Sequence, residues 1–192
     1  MGIDDREFTG FRYRIDVDQN LRIPAFLMTP TLANVWKSPT LILALGFGAG
    51  LVKKGPGTAG SLVGLLMYCA MAQLSPAVYV GLVALGFGGG IWVCGRAAAQ
   101  LQIKDPGCIV WDEIIGMLIA CWLVPLEPAW LLLAFGLFRL FDILKPWPMS
   151  WLDRNVGGGL GIMVDDVAAG LVSCALVHLA MFGAASGPLV SG

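Results

Sequence analysis

Five acidic residues stand within or beside runs of sequence that are otherwise almost wholly apolar. They are Asp112, Glu113, Asp142, Asp165 and Asp166. The adjacent pair at the head of "VWDEIIGMLIACWLVP" should repel each other, and ionisable groups inside apolar segments are costly enough to indicate function. Several carboxylates packed together need a cation, and oxygen ligands of this kind suit Mg²⁺. The sequence therefore predicts that these five acids hold one or two Mg²⁺ ions.

Small residues beside the acids indicate how the acids are brought together. On a helix, Asp112 lies one turn from Gly116, and Asp166 lies one turn from Gly170. A glycine at such a position lets another helix come close. We therefore expect the two acidic pairs to face each other, or to face Asp142, inside a helical bundle.

Basic and glycine-rich segments near the acids are predicted to bind phosphate. Arg139 precedes Asp142 by three residues and shares its helical face. The segment "KKGPGTAGS" forms a turn into a helix, and free N–H groups at helix starts attract anions. For this segment and for "NVGGGLG", plain helix packing is the alternative interpretation. The predicted phosphate-binding residues are Arg139, Lys145, Arg154, Lys54, Gly57 and Thr58.

The composition places these residues in a membrane protein. Of 192 residues, 57% are hydrophobic and 13% are charged, and the mean hydropathy is +0.78. An average soluble domain carries roughly 25% charged residues. The net charge of -1 gives no indication of nucleic-acid binding. The odd number of cysteines, most of them in apolar runs, argues against a disulfide framework or a zinc cluster.

Apolar runs and charge placement predict an all-α polytopic membrane bundle of about five spans. The runs cover about residues 57–74, 77–95, 110–125, 128–144 and 160–183. Several are near the lower length limit of roughly 17 residues, and the apolar patch at 41–52 is too short to span. Lys and Arg return at every second connection, which places those connections in the cytosol. The acids fall at the same ends, so a polar layer is predicted on the cytosolic side.

Carboxylates and basic groups at head-group depth suggest phosphoryl chemistry on a lipid. A metal would neutralise the phosphate, and basic residues would stabilise charge in the transition state. Two alternatives remain open. One is a CDP-alcohol-like membrane phosphotransferase, although its D-G-x-x-A-R pattern is absent. The other is an ion-coupled transporter, which would place acids near the membrane midplane or on both sides.

Four motifs, in the same order, closely resemble those of the bacterial phosphatidylglycerophosphatase A family. They are "GFGAGL…GPGTAGS", "WDEIIGM", "FRLFDILKPWP" and "DRNVGGGLGIMVDDVAAG", and the resemblance runs from about Leu43 to Leu179. It implies a Mg²⁺-dependent lipid phosphatase of the bacterial inner membrane. The implied reaction converts phosphatidylglycerophosphate to phosphatidylglycerol and phosphate.

The resemblance places the family's acids on the five positions that the charge argument selects. Our own inference is that Asp112, Glu113, Asp165 and Asp166 are catalytic. A water activated by the metal is expected to attack phosphorus, with a carboxylate as general base. Attack by a carboxylate to form an aspartyl-phosphate is the rival route.

The chain is expected to have three parts. Residues 1–40 form a cytosolic N-terminal segment, residues 41–185 the membrane phosphatase domain, and residues 186–192 a C-terminal tail. The N-terminal segment is charged and lacks the apolar core of a signal peptide. The active site is expected to face the cytosol.

Overall fold

The computed structural model describes residues 35–36, 38–103 and 106–186. Most of the expected N-terminal segment and the tail from residue 187 lie outside them. The helices are α1 (Pro39–Ala44), α2 (Pro56–Met71), α3 (Pro76–Leu101), α4 (Trp111–Ala120), α5 (Pro128–Leu144), α6 (Met149–Asn155) and α7 (Gly158–Ala185), with a 3₁₀ segment at Gly46–Leu51. No strand occurs in this part of the chain, so the all-α prediction is confirmed for it.

Proline marks the start of four helices. Pro39, Pro56, Pro76 and Pro128 stand at the first positions of α1, α2, α3 and α5. The first N–H groups of a helix have no intrahelical acceptor, so proline loses nothing there, and its φ is already helical. The short proline-containing connections therefore act as helix starts as well as turns.

Helix α4 is the centre of the bundle. Its residues from Ile114 to Leu118 are all buried, and it packs against α2, α3, α5 and α7. At ten residues it is about 15 Å long, half the thickness of roughly 30 Å of a bilayer's hydrocarbon core. A helix of this length cannot cross a membrane alone. It is also shorter than the apolar run at 110–125, from which a membrane span was predicted.

Among the described residues, two helices are long and apolar enough to cross a membrane. Helix α3 has 26 residues and contains an 18-residue stretch with a mean hydropathy of 1.9, and α7 has 28 residues and contains such a stretch with a mean hydropathy of 2.0. Helix α2 is apolar but has only 16 residues. The structure therefore supports membrane association through α3 and α7, and the count of five spans stays a prediction.

Glycines set the distance between α4 and its neighbours. A Cβ added at Gly116 would lie 2.8 Å from the carbonyl oxygen of Asp166 on α7. One added at Gly170 would lie 2.5 Å from the carbonyl oxygen of Gly116. On the other side, a Cβ at Gly64 of α2 would lie 2.9 Å from the carbonyl oxygen of Ile114. The expected close approach of helices at Gly116 and Gly170 is confirmed.

The apolar patch at 41–52 forms α1 and the 3₁₀ segment rather than a spanning helix. The carbonyl oxygen of Ala44 accepts a hydrogen bond from the N–H of Val110, at 2.9 Å. The ring of Phe47 meets that of Trp111 edge to face, with centroids 6.4 Å apart. The patch therefore packs against the start of α4 and helps to hold the acidic pair in place.

Candidate active site

All five predicted acids line one cavity at a single end of the bundle. Asp112 and Glu113 lie in the first turn of α4, Asp142 in the last turn of α5, and Asp165 and Asp166 near the start of α7. The cavity has a volume of about 160 Å³. The five acids come from three helices and are separated by up to more than fifty positions in the sequence, yet they meet in one place.

Three of the carboxylates form a compact cluster, and no salt bridge to any of them occurs among the described residues. Oxygen atoms of Asp112, Glu113 and Asp166 all lie within 4.8 Å of one another, and Asp166 is only 3% exposed. Oδ1 of Asp112 and Oε2 of Glu113 are buried and have no hydrogen-bond partner within the described ranges. Buried carboxylate oxygens without a partner are costly, and the cluster has a donor set that could hold a metal ion.

The oxygen donors of the cluster fit a hard divalent cation. Mg²⁺ is typically bound through one or two carboxylates and keeps several waters, which a phosphate oxygen can replace. The two unpartnered oxygens and the nearby Asp166 carboxylate supply such ligands. The cluster offers only oxygen donors, so the residues present suit Mg²⁺.

Asp142 is paired with a cation of its own. Nη1 of Arg139 donates to Oδ2 of Asp142 and also to Oγ of Ser61, at 3.3 Å. Ser61 is fully buried and donates in turn to the carbonyl oxygen of Gly57, at 2.9 Å. Sequence analysis placed Ser61 at a helix start but not among the site residues, although its position four residues after Gly57, on the same helical face, was a usable signal.

Gly57 has a steric role at this site. A Cβ added there would collide with the carboxylate of Glu113 and would lie 3.1 Å from Nη1 of Arg139. The missing side chain leaves the space that Glu113 and Arg139 occupy side by side. Gly57 therefore shapes the site, and a direct phosphate contact for it stays a prediction.

Asp165 is paired with Lys145, which also reaches a second acid. Nζ of Lys145 lies 2.5 Å from Oδ2 of Asp165 and 3.2 Å from Oδ1 of Asp153. Lys145 stands just beyond the end of α5. Partial burial lowers the pKa of Lys145, but its bonds to the two acids outweigh burial and raise the pKa above its ordinary value. The amine is therefore charged at neutral pH.

Asp153 lines the cavity and was missed by sequence analysis. It lies on the short helix α6, outside the apolar runs on which the search for functional acids was based. Its place at the head of the motif "DRNVGGGLG" was the signal that could have found it.

The residues predicted to bind phosphate occupy different places. Lys145 lines the cavity, and Arg139 and Gly57 lie beside Glu113. The remaining three are exposed and are not among the residues that line the cavity: Lys54, Thr58 and Arg154. A role for these three in phosphate binding stays a prediction.

For the glycines before the second acidic pair, the sequence left open whether they bind an anion or serve helix packing. The structure places these glycines in two different settings. Gly157, Gly158 and Gly161 line the cavity. Gly159 instead packs on α3, since a Cβ added to it would lie 2.9 Å from the backbone nitrogen of Gly95. Helix packing accounts for Gly159, whereas the other three bring backbone close to the cavity.

The bond between Arg139 and Ser61 predicts a measurable contribution to stability. Ser61→Ala should lower the free energy of unfolding by about 1 kcal/mol more than Ser173→Ala, because a hydrogen bond to a charged group is the stronger kind. Ser173 is the matched control, since it is also fully buried and bonds the carbonyl oxygen four residues back, that of Ala169. Thermal unfolding of both variants in detergent would measure the difference. Equal losses would mean that Arg139 gains nothing from Ser61.

Comparison with known proteins places this site within a family. The family model of phosphatidylglycerophosphatase A matches residues 42–181. This chain belongs to the phosphatidylglycerophosphatase A family. The match contains every residue that lines the cavity, and it confirms the resemblance drawn from the four motifs.

The matches to two curated relatives cover most of each relative's own length. Phosphatidylglycerophosphatase A of Escherichia coli (strain K12) is 42% identical over 142 residues, which cover 73% of this chain and 83% of the relative. Phosphatidylglycerophosphatase A of Haemophilus influenzae is 40% identical over 142 residues, covering 73% of this chain and 87% of the relative. No solved structure was found to match the chain.

Proposed function

We propose that this protein is a lipid phosphatase that hydrolyses phosphatidylglycerophosphate to phosphatidylglycerol and phosphate, in phospholipid biosynthesis. Membership of the phosphatidylglycerophosphatase A family supports the reaction. The observation that carries the proposal is the cluster of Asp112, Glu113 and Asp166 inside the matched region. A cation held there beside a charged lysine is suited to bind a phosphate monoester.

Magnesium is the proposed cofactor. Asp112, Glu113 and Asp166 would hold it, and Asp142 and Asp165 stand next to them with cationic partners of their own. Bound at this cluster, Mg²⁺ would supply Lewis acidity and offset the charge of the phosphate. The donor set and the two unpartnered buried oxygens support this assignment.

Other side chains bind the phosphate or hold neighbouring groups of the cavity in position. The charged amine of Lys145 lines the cavity and can donate to a phosphate oxygen. Arg139 holds Asp142 in place and stands beside Glu113. A carboxylate of the cavity accepts the proton of the attacking water. The rival aspartyl-phosphate route predicts a labelled phosphoryl group trapped on Asp112 or Asp165, and finding one would refute direct attack by water.

The proposed setting is the bacterial inner membrane, with about five spans and the site facing the cytosol. Helices α3 and α7 support membrane association by their length and hydropathy. The proposed membrane domain covers residues 41–185, with residues 1–40 in the cytosol and 186–192 as a tail. An impermeant thiol reagent should label Arg154→Cys only after cell lysis and Glu127→Cys in intact spheroplasts, with native cysteines replaced. The reverse pattern would overturn the orientation.

The proposal predicts metal-dependent phosphate release. Detergent-purified protein should release phosphate from phosphatidylglycerophosphate with Mg²⁺, and excess EDTA should stop the release. Restored Mg²⁺ should return it, because the acids keep their positions in the fold. Release that persists in EDTA would mean that the acids serve structure alone. No release under any condition would favour the phosphotransferase, tested by CMP formation, or the transporter.

A further inference from the structure

Lys145 stands between two carboxylates that differ in strength as partners. Its Nζ is 2.5 Å from Asp165, whose side chain is 6% exposed, and 3.2 Å from Asp153, whose side chain is 40% exposed. The longer contact involves a carboxylate that water and salt can screen, and exposed ion pairs are worth little. Asp153 is therefore the weaker of the two carboxylate partners of Lys145.

Asp153 is also a negative charge on the wall of the cavity. It lies on α6, whereas the cluster of Asp112, Glu113 and Asp166 belongs to α4 and α7. All of these residues line the same cavity. A phosphate bound between the cluster and Lys145 would therefore have the Asp153 carboxylate as a near neighbour of like charge, which weakens its binding.

The two effects act in the same direction. Before a phosphate enters, Asp153 occupies one hydrogen of the Lys145 amine and offsets part of its positive charge, so the phosphate meets a weaker cation. After hydrolysis, the released phosphate loses its bond to the lipid and is held by charge alone, against the repulsion of Asp153. Both effects lower the affinity of the cavity for free phosphate.

We infer that Asp153 determines how tightly this site holds phosphate and so promotes departure of the product. The inference rests on the proposed function, since it concerns the same cavity and the same anion. It assigns Asp153 no part in the chemical step. Asp153 is a residue that sets affinity through Lys145, which remains bonded to Asp165 throughout.

Inhibition by inorganic phosphate tests the inference. Asp153→Asn keeps the side-chain size and removes the charge, and it should lower the inhibition constant of phosphate about two- to fivefold in the presence of Mg²⁺. Asp153→Glu restores the carboxylate and should return the constant toward that of the unaltered protein. Glu127→Gln is the control for a general loss of one negative charge, because Glu127 is exposed and does not line the cavity.

Direct binding separates this inference from the proposed function. Calorimetric titration of the full chain with inorganic phosphate and Mg²⁺ needs no turnover, and it should show tighter binding for Asp153→Asn, or for Asp153→Ser if the first variant purifies poorly. Unchanged or weaker phosphate binding in these variants would overturn the inference. A fall in kcat/KM for the lipid with unchanged phosphate affinity would also overturn it and would assign Asp153 to the lipid head group. If the unaltered protein binds phosphate but does not hydrolyse the lipid, the proposed function fails alone.

Discussion

Replacing Asp166 with asparagine is expected to lower phosphate release from phosphatidylglycerophosphate about a thousandfold. Asp166 is 3% exposed and completes the cluster with Asp112 and Glu113. Asparagine fills the same volume, but its neutral amide oxygen is a weaker ligand for a divalent cation. A loss of about 4 kcal/mol of stabilisation in the transition state corresponds to three powers of ten in rate.

The affinity for metal should fall together with the rate. Binding of Mn²⁺ to the full chain, followed by electron paramagnetic resonance, gives a readout that does not depend on turnover. Glu127→Gln is the matched control, because Glu127 is an exposed acid at the opposite end of α5 from Asp142. It should change neither quantity. An Asp166→Asn protein that binds Mn²⁺ as tightly as the unaltered chain would exclude Asp166 as a ligand.

Replacing Gly170 with alanine is expected to damage both the packing of the bundle and the active site. The new Cβ would lie 2.5 Å from the carbonyl oxygen of Gly116 and 3.1 Å from Cβ of Ile119. Backbone cannot give way as a flexible side chain can, so α4 and α7 must move apart. Overpacking of this kind costs about 1–3 kcal/mol, and a displacement of 1 Å at a site can cost about a hundredfold in rate.

The same helix supplies the control for this substitution. Gly183 also lies on α7, but a Cβ added there meets nothing within 4 Å. Gly183→Ala should leave the rate unchanged and should stabilise the helix by up to about 1 kcal/mol, since alanine is the better helix former. Thermal unfolding and phosphate release of the two variants would be compared. If Gly170→Ala keeps full activity and stability, the crossing of α4 and α7 does not set the geometry of the cluster.

Local sequence patterns were sufficient to find most of the acids and the way they approach each other. The four-residue spacings from Asp112 to Gly116 and from Asp166 to Gly170 predicted two helices in close contact, and the structure has them in contact there. The pair of Arg139 and Asp142 was likewise foreseeable from a spacing of three. These features depend on neighbours within one turn of one helix, which a sequence displays directly.

Partners that come from different elements could not be read in the same way. Lys145 was predicted to bind phosphate, yet the structure gives it two carboxylate partners, Asp165 and Asp153. Asp165 is twenty residues away from Lys145, and Asp153 is carried by a separate short helix. Which acid such a lysine meets depends on where α5 ends and how α6 is oriented, and no local spacing encodes either.

By itself, the sequence indicated the helical character of the described part, the family and five of the six acids that line the cavity, because composition, periodicity and motifs are properties of contiguous residues. Only the tertiary structure decided that α4 is a short buried helix, that Gly57 leaves space for Glu113 and Arg139, and that oxygens of Asp112, Glu113 and Asp166 lie within 4.8 Å of one another. The physical reason is that burial and charge compensation are decided by the helices that surround a residue. Those helices are brought together by packing over the whole bundle.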